Sequence, residues 1–278
     1  MVKPHGRFPT TLASIHYPTL PFTMRKNKTK SKLKQGQPVY GVLSASPDPY
    51  LAELIGLTGF DYYMLDAEHG PLTPADAVNV VRACDAVDVT PLVRVGQFDM
   101  KLVLQYLDAG MMGIMMPGLR TAVHLQQFVQ GIKYPPDGNR GFGPGRSANY
   151  MLGTPAEQAA YVAQANEQIL ILPQFEEIGL LETLPELTAV PGVDGFVIGP
   201  RDLALSMGHA DSANHPDVQQ RIDDAIHIMQ QVGLWVGITA SNQAAAQQQI
   251  ARGATIILTT VPGLIQDGAH QMLPPTTG

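Results

Sequence analysis

From Pro38 onward the chain alternates eight short, apolar, largely β-branched runs with longer segments of helical periodicity. The runs are 38–44 (PVYGVLS), 61–66 (DYYMLD), 91–95 (PLVRV), 113–117 (GIMMP), 169–175 (ILILPQF), 195–199 (GFVIG), 234–239 (LWVGIT) and 255–260 (TIILTT). Most are apolar almost without interruption, as strands covered on both faces must be, and such strands belong to parallel sheets. Helices are expected at 49–57, 74–86, 99–109, 121–133, 177–188, 217–232 and 241–252. Thr73-Pro74 and Ser241 supply starts for them, and Gly110, Gly233 and Gly253 supply stops. Eight is the number of strands that closes a barrel, so the pattern reads as α/β, a single (β/α)8 TIM barrel. A doubly wound open sheet is the competing architecture. One interval, 134–168, breaks the rhythm. It contains Tyr134-Pro135-Pro136-Asp137-Gly138-Asn139-Arg140-Gly141-Phe142-Gly143-Pro144-Gly145-Arg146, which cannot continue a helix and reads as a long functional loop.

At 278 residues, 45% hydrophobic and 15% charged, the chain can bury the core that such a barrel needs. Its charge is uneven. Residues 1–47 hold eight Lys/Arg and no acid, leaving 10 basic against 24 acidic residues in the remainder. An acidic body argues against nucleic acid as the partner. Residues 1–34 are expected as a basic, flexible N-terminal extension and 35–278 as the barrel domain. No apolar run reaches the length of a membrane span, and the N-terminus lacks the apolar stretch of a secretory signal. The expected location is cytoplasmic, with a transit peptide within residues 1–30 as the alternative. Cys84 is the only cysteine, which rules out an internal disulfide and a thiolate metal cluster. Its helical setting reads as a packed thiol.

Chemistry in a barrel of this kind gathers at the C-terminal strand ends. The second strand ends in Tyr62-Tyr63-Met64-Leu65-Asp66-Ala67-Glu68-His69-Gly70, an apolar run stopping abruptly in two carboxylates and an imidazole. Charges where a buried strand emerges are expensive unless paired or used. A carboxylate three residues before a histidine can orient the ring and raise its basicity, as a general base requires. The third strand carries Arg94, the fifth ends in Gln174-Phe175-Glu176-Glu177, and the sixth in Gly199-Pro200-Arg201-Asp202. Glu176 and Asp202 are candidate ligands for a hard divalent ion, Mg²⁺ or Mn²⁺ with Co²⁺ as a further candidate. An ordinary first-turn acid and a helix cap are the alternatives for these two. Arg94 could meet a substrate carboxylate or a developing enolate. After Lys34 only Lys101 and Lys133 remain, neither on an expected strand, so a Schiff-base lysine is missing and carbonyl chemistry would need a metal. The other histidines fall on expected helices and loops; His209, shortly after Asp202, is the one that merits following.

Five stretches occur in an order that resembles a known family: Leu65-Asp66-Ala67-Glu68-His69-Gly70-Pro71, Val93-Arg94, Tyr134-Pro135-Pro136 with Gly138 and Arg140-Gly141, Gln174-Phe175-Glu176, and Val193 to Leu203. Together they resemble the HpcH/HpaI family of metal-dependent, pyruvate-specific class II aldolases, over roughly residues 30–270. The resemblance implies cleavage of 4-hydroxy-2-oxo acids to pyruvate and an aldehyde. By position it implies Glu176 and Asp202 as ligands of a divalent metal that pyruvate chelates. It implies Arg94 at the keto or enolate oxygen, and Gln174, Gly199, Pro200 and Arg201 fixing the substrate. His69, oriented by Asp66, would be the acid/base. It also implies a homo-oligomer, a trimer or hexamer. There are three departures from the pattern: Arg201 replaces a small residue, the Arg140–Arg146 loop is shorter, and Ala67 replaces a frequent glycine. The same enolate would serve an oxaloacetate (2-oxo acid) decarboxylase or a synthase, which is the alternative reading; a non-catalytic 2-oxo acid binding barrel is the third.

Overall fold

The computed structural model describes residues 24–210 and 212–274. Eight parallel strands close a barrel in chain order: β1 (Val39–Ser44), β2 (Tyr62–Asp66), β3 (Thr90–Arg94), β4 (Gly113–Met116), β5 (Leu170–Phe175), β6 (Gly195–Ile198), β7 (Trp235–Thr239) and β8 (Ile256–Thr260). Every strand lies within one residue of its expected bounds, and the open-sheet alternative is excluded by the pairing of β1 with β8. Side chains alternate across each strand, so one parity fills the barrel and the other meets the helices. Tyr62, Met64, Leu92, Leu172, Val197 and Leu258 belong to the inner cluster. Each such apolar side chain contributes about 1.5–3 kcal/mol on burial. The Tyr62 hydroxyl donates to the Ile257 carbonyl at 2.8 Å. The inward position of β1 is Gly41 for a steric reason, since a Cβ there would lie 2.1 Å from the Tyr62 ring.

Continuing the inward parity toward the C-terminal ends leads from Met64 to Asp66, from Leu92 to Arg94, from Leu172 to Gln174 and from Val197 to Gly199. The topmost inward layer is therefore polar, whereas the layers beneath it are hydrocarbon. Period-two geometry alone brings these residues to one mouth.

The opposite end is closed by the helix Lys28–Lys34. Leu33 joins the inner cluster. The Asn27 amide donates to the carbonyls of Met112 at 3.0 Å and Gln168 at 2.8 Å, just ahead of β4 and β5. Lys30 is buried, with Nζ 2.7 Å from Asp194 and 2.7 Å from the Ile169 carbonyl. The segment expected as an extension over residues 1–34 thus divides: residues 1–23 lie outside the described residues, and Asn27–Lys34 form the floor of the barrel. Its lysine-rich composition hid the buried positions Thr29, Lys30 and Leu33.

The interval 134–168 is a loop only in its first part. The helix Pro155–Gln168 begins at a capping box, in which Glu157 accepts from the Thr154 N–H at 2.7 Å and Thr154 accepts from the Glu157 N–H at 3.3 Å. Its apolar residues are five alanines with only Tyr161 and Val162 larger, so its periodicity is faint. Helices Pro200–Ser206 and Val261–Met272 were also unforeseen, and Asn242, not Ser241, caps Gln243–Ala251. Gly110, Gly233 and Gly253 do end helices, with φ of 113°, 75° and 109°. Among the described residues no helix is long and apolar enough to cross a membrane.

Candidate active site

Strand register sets Asp66 beside Arg94. Arg94 grips the carboxylate with two hydrogen bonds, Nε to Oδ1 at 2.9 Å and Nη2 to Oδ2 at 2.6 Å. Asp66 Oδ1 also accepts the backbone N–H groups of Glu68 at 3.2 Å and His69 at 3.3 Å. Burial alone would push the Asp66 carboxyl up; the Arg94 guanidinium and the two N–H groups outweigh it and hold it below the ordinary range. For Arg94, burial opposes the charge, and Asp66 more than offsets it, so its pKa is raised. Directly after Asp66 the chain turns, the Gly70 N–H donating to the Asp66 carbonyl at 3.0 Å. A Cβ on Gly70 would lie 2.4 Å from that oxygen, so only glycine permits this exit from the strand.

This geometry corrects one expectation. Asp66 does not orient the His69 imidazole; its oxygens are committed to Arg94 and to the backbone. The ring is 69% exposed, and the nearest carboxylate is Glu68, with 3.9 Å between Nε2 and Oε2. The sequence assigns no role to Glu68, although it stands next to His69.

Glu68, His69, Arg120, Glu176, Glu177 and Asp202 line one cavity of about 550 Å³ at the barrel mouth. A Cβ on Gly199 would lie 3.0 Å from Gln174 Nε2, 3.3 Å from Glu176 Cβ and 3.6 Å from Asp202 Oδ2. These three side chains therefore converge over one bare glycine. Gln174 Nε2 donates to Glu176 Oε2, and the Gly118 N–H donates to Glu176 Oε1 at 3.3 Å. Burial, with the neighbouring charges of Glu68 and Asp202, pushes the Glu176 carboxyl up to about 7. At this mouth, the buried oxygens Gln174 Oε1 and Glu68 Oε2 lack a hydrogen bond; the latter has Arg94 Nε at 3.2 Å as an ion pair. Like charges gathered in one partly desolvated space repel one another, and a divalent cation relieves this. The donor set is oxygen from three carboxylates, which fits a hard ion such as Mg²⁺ or Mn²⁺.

Pro200 is the first residue of its helix. Arg201 is exposed and is not among the residues lining the cavity. A different arginine is there instead. Arg120, from the loop after β4, forks onto Glu177 with Nε to Oε2 at 2.8 Å and Nη2 to Oε1 at 2.5 Å. No sequence signal marked Arg120, because its partner comes from another strand end. The buried lysines among the described residues, Lys30 and Lys133, lie at the floor. Lys133 Nζ donates to the Asn166 carbonyl, and burial pushes its pKa down to about 8. Neither lysine lines the cavity at the mouth. His209 stacks on His215, ring centroids 3.6 Å apart, and does not line the cavity.

Against known proteins, the family model described as HpcH/HpaI aldolase/citrate lyase matches residues 40–264. The chain is 34% identical to a hydroxypyruvate/pyruvate aldolase of Pseudomonas aeruginosa, over 83% of this chain and 85% of the relative. It is 33% identical to a 2-keto-3-deoxy-L-rhamnonate aldolase of Salmonella gallinarum, over 86% of this chain and 88% of the relative. A crystal structure of a HpcH/HpaI aldolase/citrate lyase family protein from Burkholderia cenocepacia superposes with a TM-score of 0.81 at 30% identity, covering 89% of this chain and 98% of that one. With the closed barrel, the polar mouth and these matches all agreeing, the chain belongs to the HpcH/HpaI aldolase/citrate lyase family.

Proposed function

We propose that this protein is a metal-dependent carbon–carbon lyase that cleaves 4-hydroxy-2-oxo acids into pyruvate and an aldehyde. The observation that carries the reading is the convergence of Gln174, Glu176 and Asp202 over Gly199, with Arg94 locked beside them by Asp66. Relatives at 33–34% identity that are named aldolases support it.

Glu176 and Asp202 would hold the divalent ion, with Glu68 adjacent. When bound, that ion supplies a Lewis acid for the 2-oxo acid's keto and carboxylate oxygens. Arg94 is held in one orientation by its fork on Asp66, so its remaining Nη1 can face the negative charge that grows on the keto oxygen as the C3–C4 bond breaks. Gln174 steadies Glu176 through its Nε2 and leaves Oε1 available to the substrate side. His69 takes the proton from the C4 hydroxyl; the C4–O bond becomes the aldehyde carbonyl, the C3–C4 electrons pass into the pyruvate fragment, and C3 then gains a proton. The exposed position of His69 suits a proton carrier that exchanges with water.

The protein is further proposed to be a homo-oligomer. The helix Val261–Met272 has no buried residue, and Ile265 and Met272 are exposed on it, as expected of a surface completed by another copy.

The test is pyruvate release from 4-hydroxy-2-oxo acids and from oxaloacetate, using EDTA-stripped protein before and after adding Mn²⁺, Mg²⁺ or Co²⁺. Metal-restored cleavage of the hydroxy acids is the expected result. Turnover of oxaloacetate alone would make the protein a decarboxylase, and cleavage unaffected by complete metal removal would refute the mechanism.

A further inference from the structure

The one charged pair of the cavity that the mechanism above does not use is Arg120–Glu177. Both partners are set by anchored loops. On the β4 side, Leu119 is buried and the Gly118 N–H is bound to Glu176. On the β5 side, the Ile178 N–H donates to Ser206 Oγ at 3.0 Å, and that hydroxyl donates to the Leu203 carbonyl at 2.7 Å. Between these anchors, the fork spans the cavity wall one residue outward from Glu176.

The pair is close to neutral as a unit. It offers unused N–H groups of Arg120 next to unused carboxylate lone pairs of Glu177, a donor beside an acceptor. A hydroxyl group both donates and accepts, so it satisfies such a pair; a second carboxylate does not. Charge around the cavity points the same way. Its wall carries four carboxylates (Glu68, Glu176, Glu177 and Asp202) against one guanidinium, since Arg201 is outside it. A divalent ion would cancel two of the three excess negative charges, and the substrate's own carboxylate would restore one. A further anionic group would enter a site already negative.

Resting on the aldolase reading, we propose that the Arg120–Glu177 fork is a specificity-determining pair that selects a neutral hydroxyaldehyde as the aldehyde partner, holding its hydroxyl between guanidinium and carboxylate. Arg201, which replaces a small residue of the family pattern, lies outside the cavity and has no part in this.

The experiment runs the reaction in the condensation direction with pyruvate, Mn²⁺ and three aldehydes: glyceraldehyde, propanal and succinic semialdehyde. For the unsubstituted protein, kcat/KM for glyceraldehyde should exceed that for each of the others by about tenfold or more, the scale of one or two well-placed hydrogen bonds. In Arg120→Gln the ratio of glyceraldehyde to propanal should fall toward one, both rates being measured on the same variant. Glu177→Gln leaves the Arg120 charge unopposed and should raise succinic semialdehyde about tenfold relative to glyceraldehyde. Preference for succinic semialdehyde in the unsubstituted protein, or ratios unmoved by both substitutions, would overturn the assignment. Exchange of the pyruvate methyl protons with deuterium oxide, followed by NMR on the unsubstituted protein, separates the two levels. Absence of metal-dependent exchange refutes the aldolase reading itself, whereas exchange without a hydroxyaldehyde preference refutes the fork alone.

Discussion

Glu176→Gln is expected to stabilise the metal-free protein while destroying its capacity for divalent ions. Glu176 is half-buried between Glu68 and Asp202, and its carboxyl lies at about 7 against an ordinary 4.5. Were it fully buried, holding it ionised above neutral pH would cost the folded protein about 3 kcal/mol. Partial exposure and solvent screening reduce this to ~1–2 kcal/mol. Glutamine can still accept from Gln174, and loss of the Gly118 hydrogen bond offsets about 0.5 kcal/mol. The net gain is therefore on the order of 1 kcal/mol at about pH 8. The sign follows from proton binding. The folded value lies above the unfolded one, so the folded state holds the extra proton. This group's contribution is most favourable below about pH 4.5, and it declines as pH rises to about 7. Urea unfolding of both proteins in EDTA, at about pH 8 and about pH 4.5, should show the variant ahead at the higher pH and the difference nearly gone at the lower. Calorimetric titration with Mn²⁺ should show affinity lowered by more than the roughly 10–100-fold typical of supporting residues. A variant less stable at the higher pH, an equal difference at both, or unchanged Mn²⁺ affinity would refute this account of the carboxylate cluster.

Four further outcomes are expected. His69→Ala should lower cleavage by a factor on the order of 10²–10⁴ with Mn²⁺ affinity by calorimetry unchanged, since the imidazole is exposed and lies off the convergence at Gly199. Lys30→Met leaves Asp194 without its cation at the barrel floor and should destabilise by about 3 kcal/mol in urea unfolding, whereas adding Asp194→Asn should recover part of that loss; strict additivity would contradict a coupled pair. Cys84 is buried, and burial pushes its thiol up to about 12, so it should resist thiol reagents in the native protein and react at once in urea. Light scattering should report a mass above that of one chain, and Ile265→Lys combined with Met272→Lys should lower it; a monomer before any substitution would rule out the proposed assembly.

Much of the fold was legible because it rests on local signals. Continuous apolar runs such as 169–175 and 255–260 need no partner to be recognised as buried strands, and Gly110, Gly233 and Gly253 announce helix ends by their backbone freedom alone. The helix Pro155–Gln168 escaped because Tyr161 and Ala165 give it only a weak apolar stripe, although Thr154 and Glu157 spell its capping box. The floor helix escaped because five of the eight residues Asn27–Lys34 are lysine or threonine, and burial of Lys30 depends on Asp194, more than 160 positions away.

Taken alone, the amino-acid sequence determined that eight strands alternate with helices and that Asp66, Arg94, Gln174, Glu176 and Asp202 stand at strand ends, because strand period and chain punctuation are properties of neighbouring residues. The tertiary structure alone decided who meets whom there. Parallel register sets Asp66 against Arg94 and so takes it from the His69 ring, which is left to Glu68; the pairing of β4 with β5 brings Arg120 to Glu177, and Arg201 stays outside. Such pairings depend on the register of strands far apart in the chain, where a slip of one residue would turn every side chain to the opposite face. That register follows from packing of the whole barrel and is encoded in no single stretch of it.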